Sequence, residues 1–214
     1  MKTITHRTVN LEFEYFRAMF NELRRLDEWT APNPLENVRE FKISESEMAY
    51  LTIEEIKTLL SECENSRSKD LATIVKICLA TGARWSEAEG LKGNQIRAGQ
   101  IIFVKTKGKK NRAVPITDKL QAELPLCRKA QSLFKPCYTA FRKAMQRAGI
   151  ETPSGQLTHV LRHTFASHFM MNGGNILVLQ RILGHTDIKV TMRYSHFSPE
   201  HLIDAAYLNP LTKI

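Results

Sequence analysis

The sequence predicts an α+β fold, mainly α-helical with one small antiparallel sheet. Three observations predict it: apolar residues recur at three- and four-residue steps in most segments, two short β-prone runs flank one Gly-containing polar turn, and no internal repeat is present. At 214 residues the chain has room for one main domain and a smaller appendage.

Leu11, Phe13, Phe16, Met19, Phe20, Leu23 and Leu26 mark one face of an amphipathic helix that ends before Ala31-Pro32-Asn33-Pro34. Its apolar face has few partners within residues 1–45, so it either belongs to a neighbouring N-terminal module or docks on the main domain. Asn37 to Met48 is polar and mixed in charge, as a linker would be. The main domain opens at Thr52, which forms a capping box with Glu55 ahead of Ile56, Leu59 and Leu60.

A core helix follows over Asp70–Ala80, its apolar face too broad for a surface position, and Thr81-Gly82-Ala83 breaks it before a short turn of helix over Trp85–Leu91. Ile101–Val104 and Ala113–Ile116 form a β-hairpin around Gly108. Helices are then expected over Thr117–Leu124, Tyr138–Ala148, Leu157–Met171, Ile176–Leu183, Asp187–Tyr194 and Pro199–Tyr207, with Gly173 and Gly184 as C-terminal stops.

Thirty-one Lys and Arg against 22 Asp and Glu give a net charge of +9. Such a surface attracts polyanions, nucleic acid above all. No apolar run approaches a membrane span, and the N-terminus lacks the apolar stretch of a secretory signal, so a cytoplasmic protein is expected. Cys63, Cys78, Cys127 and Cys137 are widely spaced and read as free thiols.

Four polar segments sit at predicted helix ends or at the hairpin tip: A-T-G-A-R-W-S-E (80–87), T-K-G-K-K-N-R-A-V-P-I (106–116), H-V-L-R-H-T-F-A-S-H (159–168), and L-G-H-T (183–186) with T-M-R-Y-S-H (191–196). In this order they resemble the tyrosine recombinase (phage integrase) family over Thr52 to Tyr207, and the chain is similar to integrases of temperate phages. The resemblance implies the catalytic fold shared with type IB topoisomerases. It divides the chain into a core-binding remnant (1–36), a linker (37–48), a catalytic domain (49–197) and a helical tail for protomer contacts (198–214), with most of the core-binding domain outside these residues.

The implied chemistry is a covalent 3′-phosphotyrosine intermediate that conserves the bond energy, so no cofactor or metal is required. Tyr194 is the nucleophile; Arg84, Arg162 and His185 surround the scissile phosphate, two guanidinium forks clamping its oxygens. His159 is the general base for a phenol whose ordinary pKa is about 10. Lys107 protonates the leaving 5′ oxygen, with Lys109 as the alternative in the hairpin register, and Glu87 orients the site.

Double-stranded DNA is the implied partner, with self-association as a dimer or tetramer on DNA, DNA-bending accessory proteins, and the cytoplasm of a bacterial host as the setting. His159 and His163 also have the spacing of a zinc pair, but Val160 stands where such a site needs Glu. His163 and His168 read as structural residues, and His196 either reaches the site or faces solvent. Two competing readings are a type IB-like topoisomerase and a DNA-binding regulator on an inactive scaffold; the filled catalytic positions argue against the regulator.

Overall fold

The computed structural model describes residues 4–42, 48–104, 111–125, 130–153 and 155–199. The chain divides into two compact units, residues 1–47 and 48–214. The hairpin tip with Lys107 and Lys109, Cys127, and the expected final helix beyond Pro199 lie outside the described residues.

In the first unit, α1 spans His6–Arg25, its start capped by the Thr5 side chain accepting from the Thr8 N–H. The following segment runs back along α1 and is held by polar anchors. Asn10 donates to the Phe41 carbonyl and accepts from its N–H, both at 2.9 Å, and Arg17 donates to the carbonyls of Leu35 and Val38. Asn33 donates to the Arg17 carbonyl and to Asn21 Oδ1. Because these anchors use one flank of the helix, Leu11, Phe16 and Met19 on the apolar stripe remain exposed within this unit.

The second unit is built around α3 (Leu71–Thr81). Leu71, Ile74, Val75, Ile77 and Cys78 have no solvent exposure, which is why the apolar face of this helix is so broad, while Lys76 pairs with Glu64 and Glu123. Against it pack α2 (Ile53–Glu64) and α7 (His159–Met171), while α6 (Tyr138–Arg147) backs α2. The Thr52–Glu55 capping box at the head of α2 is present in both directions. A left-handed Gly82 (φ 63°) ends α3 and turns the chain into α4 (Trp85–Glu89), shorter than the stretch to Leu91 because Gly90 closes it.

The sheet has three strands where the sequence suggests two. β1 (Ile96–Arg97) pairs with β2 (Gln100–Phe103), which pairs with β3 (Arg112–Pro115), all antiparallel. The Ala98-Gly99 turn joining β1 to β2 has positive φ at both residues, the geometry that suits a two-residue hairpin. A two-residue strand with an Ala in that turn leaves no β-prone run to read. Ile101, Phe103 and Val114 point into the core while their neighbours point out.

Thr117 caps α5 (Asp118–Glu123), and α8 (Ile176–Leu183) lies where its periodicity places it, between Asn175 as N-cap and Gly184 (φ 69°) as C-cap. One expected helix is largely undone. In place of a helix over 187–194, α9 covers only Lys189–Met192, and Tyr194 leads a separate single turn, Ser195–Phe197. The Thr191 hydroxyl is committed to His185 instead of to solvent, and Tyr194 is drawn into a second apolar cluster with Ala166, Met170, Leu179 and Leu183. Cys63, Cys78 and Cys137 are buried free thiols. Among the described residues, no helix is long and apolar enough to cross a membrane.

Candidate active site

Buried Arg162 and part-buried His185 and Arg84 converge where α3 ends, α7 begins and α8 stops. Arg162 on α7 is 4% exposed, and its fork is held by Nη1 donating to the Gly82 carbonyl at 2.8 Å and Nη2 to the Leu183 carbonyl at 2.6 Å. Both carbonyls are freed by left-handed helix endings, so the two glycine stops supply the acceptors that fix this arginine. Burial, then the charges of Arg84 and Arg112, pull its pKa down to about 10, which leaves it cationic at neutral pH.

His185 lies against that fork, with Nε2 3.0 Å from Arg162 Nη2 and Nδ1 2.9 Å from Thr191 Oγ1. A guanidinium only donates, so Nε2 accepts and the ring proton sits on Nδ1, directed at Thr191. The resemblance makes His185 a phosphate donor; in this arrangement Nε2 carries its lone pair toward Arg162. Burial first, then Arg162, Arg84 and Arg112, lower its pKa to about 4.

Arg84 stands at the head of α4 with its side chain 41% exposed. Its backbone N–H donates to Glu87 Oε2 at 2.8 Å, and Nη1 reaches Oε1 at 3.2 Å. Glu87 also receives both arms of Arg112, Nη1 at 3.0 Å and Nη2 at 2.6 Å. Burial alone would raise the Glu87 carboxyl, but the Arg112 and Arg84 hydrogen bonds and charges outweigh it and bring the pKa to about 2.

Arg112 is the residue that sequence reasoning passed over. It stands there only as one letter of the 106–116 motif, yet its side chain is 9% exposed and lies 4.5 Å over the Phe103 ring, its partner across β2–β3. Its place two residues before the apolar Val114, on the same face of a strand that alternates, was the available signal.

Tyr194 is 3% exposed, and its Oη lies 2.6 Å from His163 Nδ1. Burial raises the phenol pKa against the lowering pull of Arg162 and Arg193. His163 is lowered to about 4 by burial, then by His159, Arg193 and Arg162. His159 is exposed at the head of α7. Its pKa is lowered by partial burial, then by Arg162 and Arg84, and its ring centroid is 6.2 Å from that of His163.

The structure therefore brings Arg84, Glu87, His159, Arg162, His185 and Tyr194 together, and adds Arg112 and His163. Lys107 lies outside the described residues. His168 is structural, its Nε2 2.8 Å from the Leu51 carbonyl, and His196 is exposed with its ring against Phe197. Three arginines around one carboxylate make an electropositive recess, and the arginine charges that suppress protonation of its histidines would be offset by a bound anion.

Comparison with known proteins shows what the chain resembles. Residues 49–201 match the model of the phage integrase family, and residues 1–42 match that of the phage integrase N-terminal domain. The integrase of Escherichia phage 186 is 61% identical over 214 residues, covering 100% of this chain and 63% of that protein. The integrase of Haemophilus phage HP1 is 58% identical over 205 residues, covering 96% and 60%. The chain thus spans about three fifths of the length of these relatives. Among solved structures, the catalytic domain of bacteriophage HP1 integrase superposes with a TM-score of 0.75 at 60% identity, covering 78% of this chain and 98% of that one.

Proposed function

The chain belongs to the phage integrase family, and on that premise we propose that it is the DNA-cleaving part of a site-specific recombinase acting through Tyr194. One observation carries the reading: a buried tyrosine hydroxyl, a buried arginine fork and a half-open arginine, drawn from three distant motifs, share one recess of positive charge.

Arg84 and Arg162 hold the non-bridging oxygens of a phosphodiester, where negative charge grows in the transition state. His159 lines the approach beside them, and His185 completes the pocket once phosphate competes for Arg162. Glu87 holds the Arg84 backbone and guanidinium in place. The Tyr194 oxygen passes its proton to a histidine of α7 and forms a bond to phosphorus as the bond to the 5′ oxygen breaks, and Lys107 gives that 5′ oxygen its proton. The 3′-phosphotyrosine ester keeps the energy of the broken bond, so attack by a DNA hydroxyl reseals the strand without a cofactor.

The partner is double-stranded DNA, bound by copies of the chain that self-associate through residues 198–214, with DNA-bending accessory proteins, in the cytoplasm of a bacterial host. The domain division that goes with this reading is 1–36, 37–48, 49–197 and 198–214; the two family-model matches, 1–42 and 49–201, support a boundary in the forties.

The test uses a pool of nicked duplexes with a randomised core, so that cleavage next to the nick traps the covalent species. Denaturing electrophoresis is expected to show a protein–DNA adduct, which Tyr194→Phe abolishes. An adduct that persists in that variant overturns the nucleophile, and no adduct from the parent chain overturns the enzyme. Joining of the trapped strand to a second duplex separates a recombinase from a topoisomerase.

A further inference from the structure

We propose that His163, and not His159, accepts the phenolic proton of Tyr194 during DNA cleavage. The inference deepens the recombinase reading and rests on it. The observation is the 2.6 Å contact between His163 Nδ1 and Tyr194 Oη, made between residues 31 apart.

The direction of that bond follows from burial. Tyr194 is 3% exposed, and among the described residues His163 Nδ1 is the hydrogen-bond partner its hydroxyl has. If Nδ1 carried the proton and donated, the buried O–H would be left without an acceptor, at a cost of about 1–3 kcal/mol. Tyr194 therefore donates, Nδ1 accepts, and the ring proton of His163 sits on Nε2. A nucleophile whose proton already points at a nitrogen has its lone pairs free for phosphorus. His159, at the solvent-exposed head of α7, has its ring centroid 6.2 Å from that of His163.

In the reaction, Oη bonds to phosphorus, its proton passes to Nδ1, and the bond from phosphorus to the 5′ oxygen breaks, that oxygen leaving with the proton given by Lys107. Religation returns the proton from the imidazolium to the departing phenolate oxygen. The charged and titratable groups around His163 are His159 and Arg162 on its own helix, Arg193 and Tyr194 on the segment packed against it, and His185 after α8. In the empty site burial, then His159, Arg193 and Arg162, make it a weak base. A phosphodiester bound to the arginines offsets the last of these and gains negative charge as the reaction proceeds, so the base strengthens when substrate is present.

The experiment takes the duplex captured by the parent chain and measures single-turnover adduct formation against pH for His163→Gln and His163→Phe. Both are expected to be slower by about 100-fold or more near neutral pH. The variant rates should still be climbing as pH rises toward the phenol's own ionisation, which burial holds above its ordinary range, after the parent has levelled off. A 5′-bridging phosphorothiolate substrate, whose sulfur leaves without a proton, should not restore them.

Rates within threefold of the parent, faster cleavage, or rescue by the phosphorothiolate would each overturn the assignment. A second measurement needs no variant: the ¹⁵N shifts of His163 in the parent must report an unprotonated Nδ1 and a protonated Nε2. The opposite tautomer sinks the proposal. Absence of any adduct from the parent fails the recombinase reading itself, and this assignment with it.

Discussion

Arg112 meets Glu87 through two parallel hydrogen bonds, Nη1 to Oε1 at 3.0 Å and Nη2 to Oε2 at 2.6 Å, with the guanidinium stacked on Phe103. The pair ties the start of β3 to α4, and so ties the hairpin to the helix that carries Arg84.

Removing one partner strands the other. Arg112→Ala leaves the largely buried Glu87 with only the half-open Arg84, and should cost about 3 kcal/mol in urea unfolding, the lower end for a broken buried pair. Arg112→Lys keeps the charge but not the fork, and should recover less than half of that loss. A loss below about 0.5 kcal/mol for the alanine variant would mean the pair is merely a surface contact.

Acid should weaken the fold in two windows. Folding holds His163 and His185 at about 4 against an ordinary 6.5, so the stability that depends on their staying neutral is present above pH 6.5 and lost as pH falls toward 4. Folding lowers Glu87 from 4.5 to about 2, so its contribution is present above pH 4.5 and lost as pH falls toward 2. Unfolding free energies taken from pH 7.5 to pH 2.5 should fall throughout. The gap between parent and Glu87→Gln should close in the lower window; a gap that widens there contradicts the sign.

Gly82 joins two demands in one position. Its φ of 63° disfavours a side chain, and a Cβ would meet Phe165 Cδ1 at 2.6 Å and Leu183 Cδ2 at 2.8 Å. Gly82→Ala should cost about 2–4 kcal/mol, from left-handed strain plus overpacking. Gly149 has a φ of 67° and open space around it, so Gly149→Ala should show the strain alone, about 1–2 kcal/mol. Equal melting temperatures for the two variants would remove the crowding term.

Thr191 has no solvent exposure and accepts the ring proton of His185. Thr191→Val keeps the shape and removes the acceptor, and should slow adduct formation about tenfold, the kinetic equivalent of one lost buried hydrogen bond. Thr191→Ser should restore most of the rate. Full activity in the valine variant would show that the His185 tautomer is set elsewhere.

The apolar pattern alone marks α3, α6 and α8 to within a residue or two, and the Thr52–Glu55 capping box gives the start of α2, because helix periodicity and capping are decided by residues within about four positions of one another. Composition and the four motifs likewise indicate an anion-binding enzyme of the family to which the chain proves to belong. What the sequence left unread depends on longer range. β1 exists because Gln100 and Ile101 offer it a pairing edge, and the expected helix over 187–194 breaks because His185 claims the Thr191 hydroxyl while the apolar cluster claims Tyr194. Arg112 reaches Glu87 across 25 positions and His163 reaches Tyr194 across 31. Neither pairing is encoded by spacing: the first is set by the β2–β3 register, the second by how the segment after α9 packs on α7, and only the folded chain fixes either one.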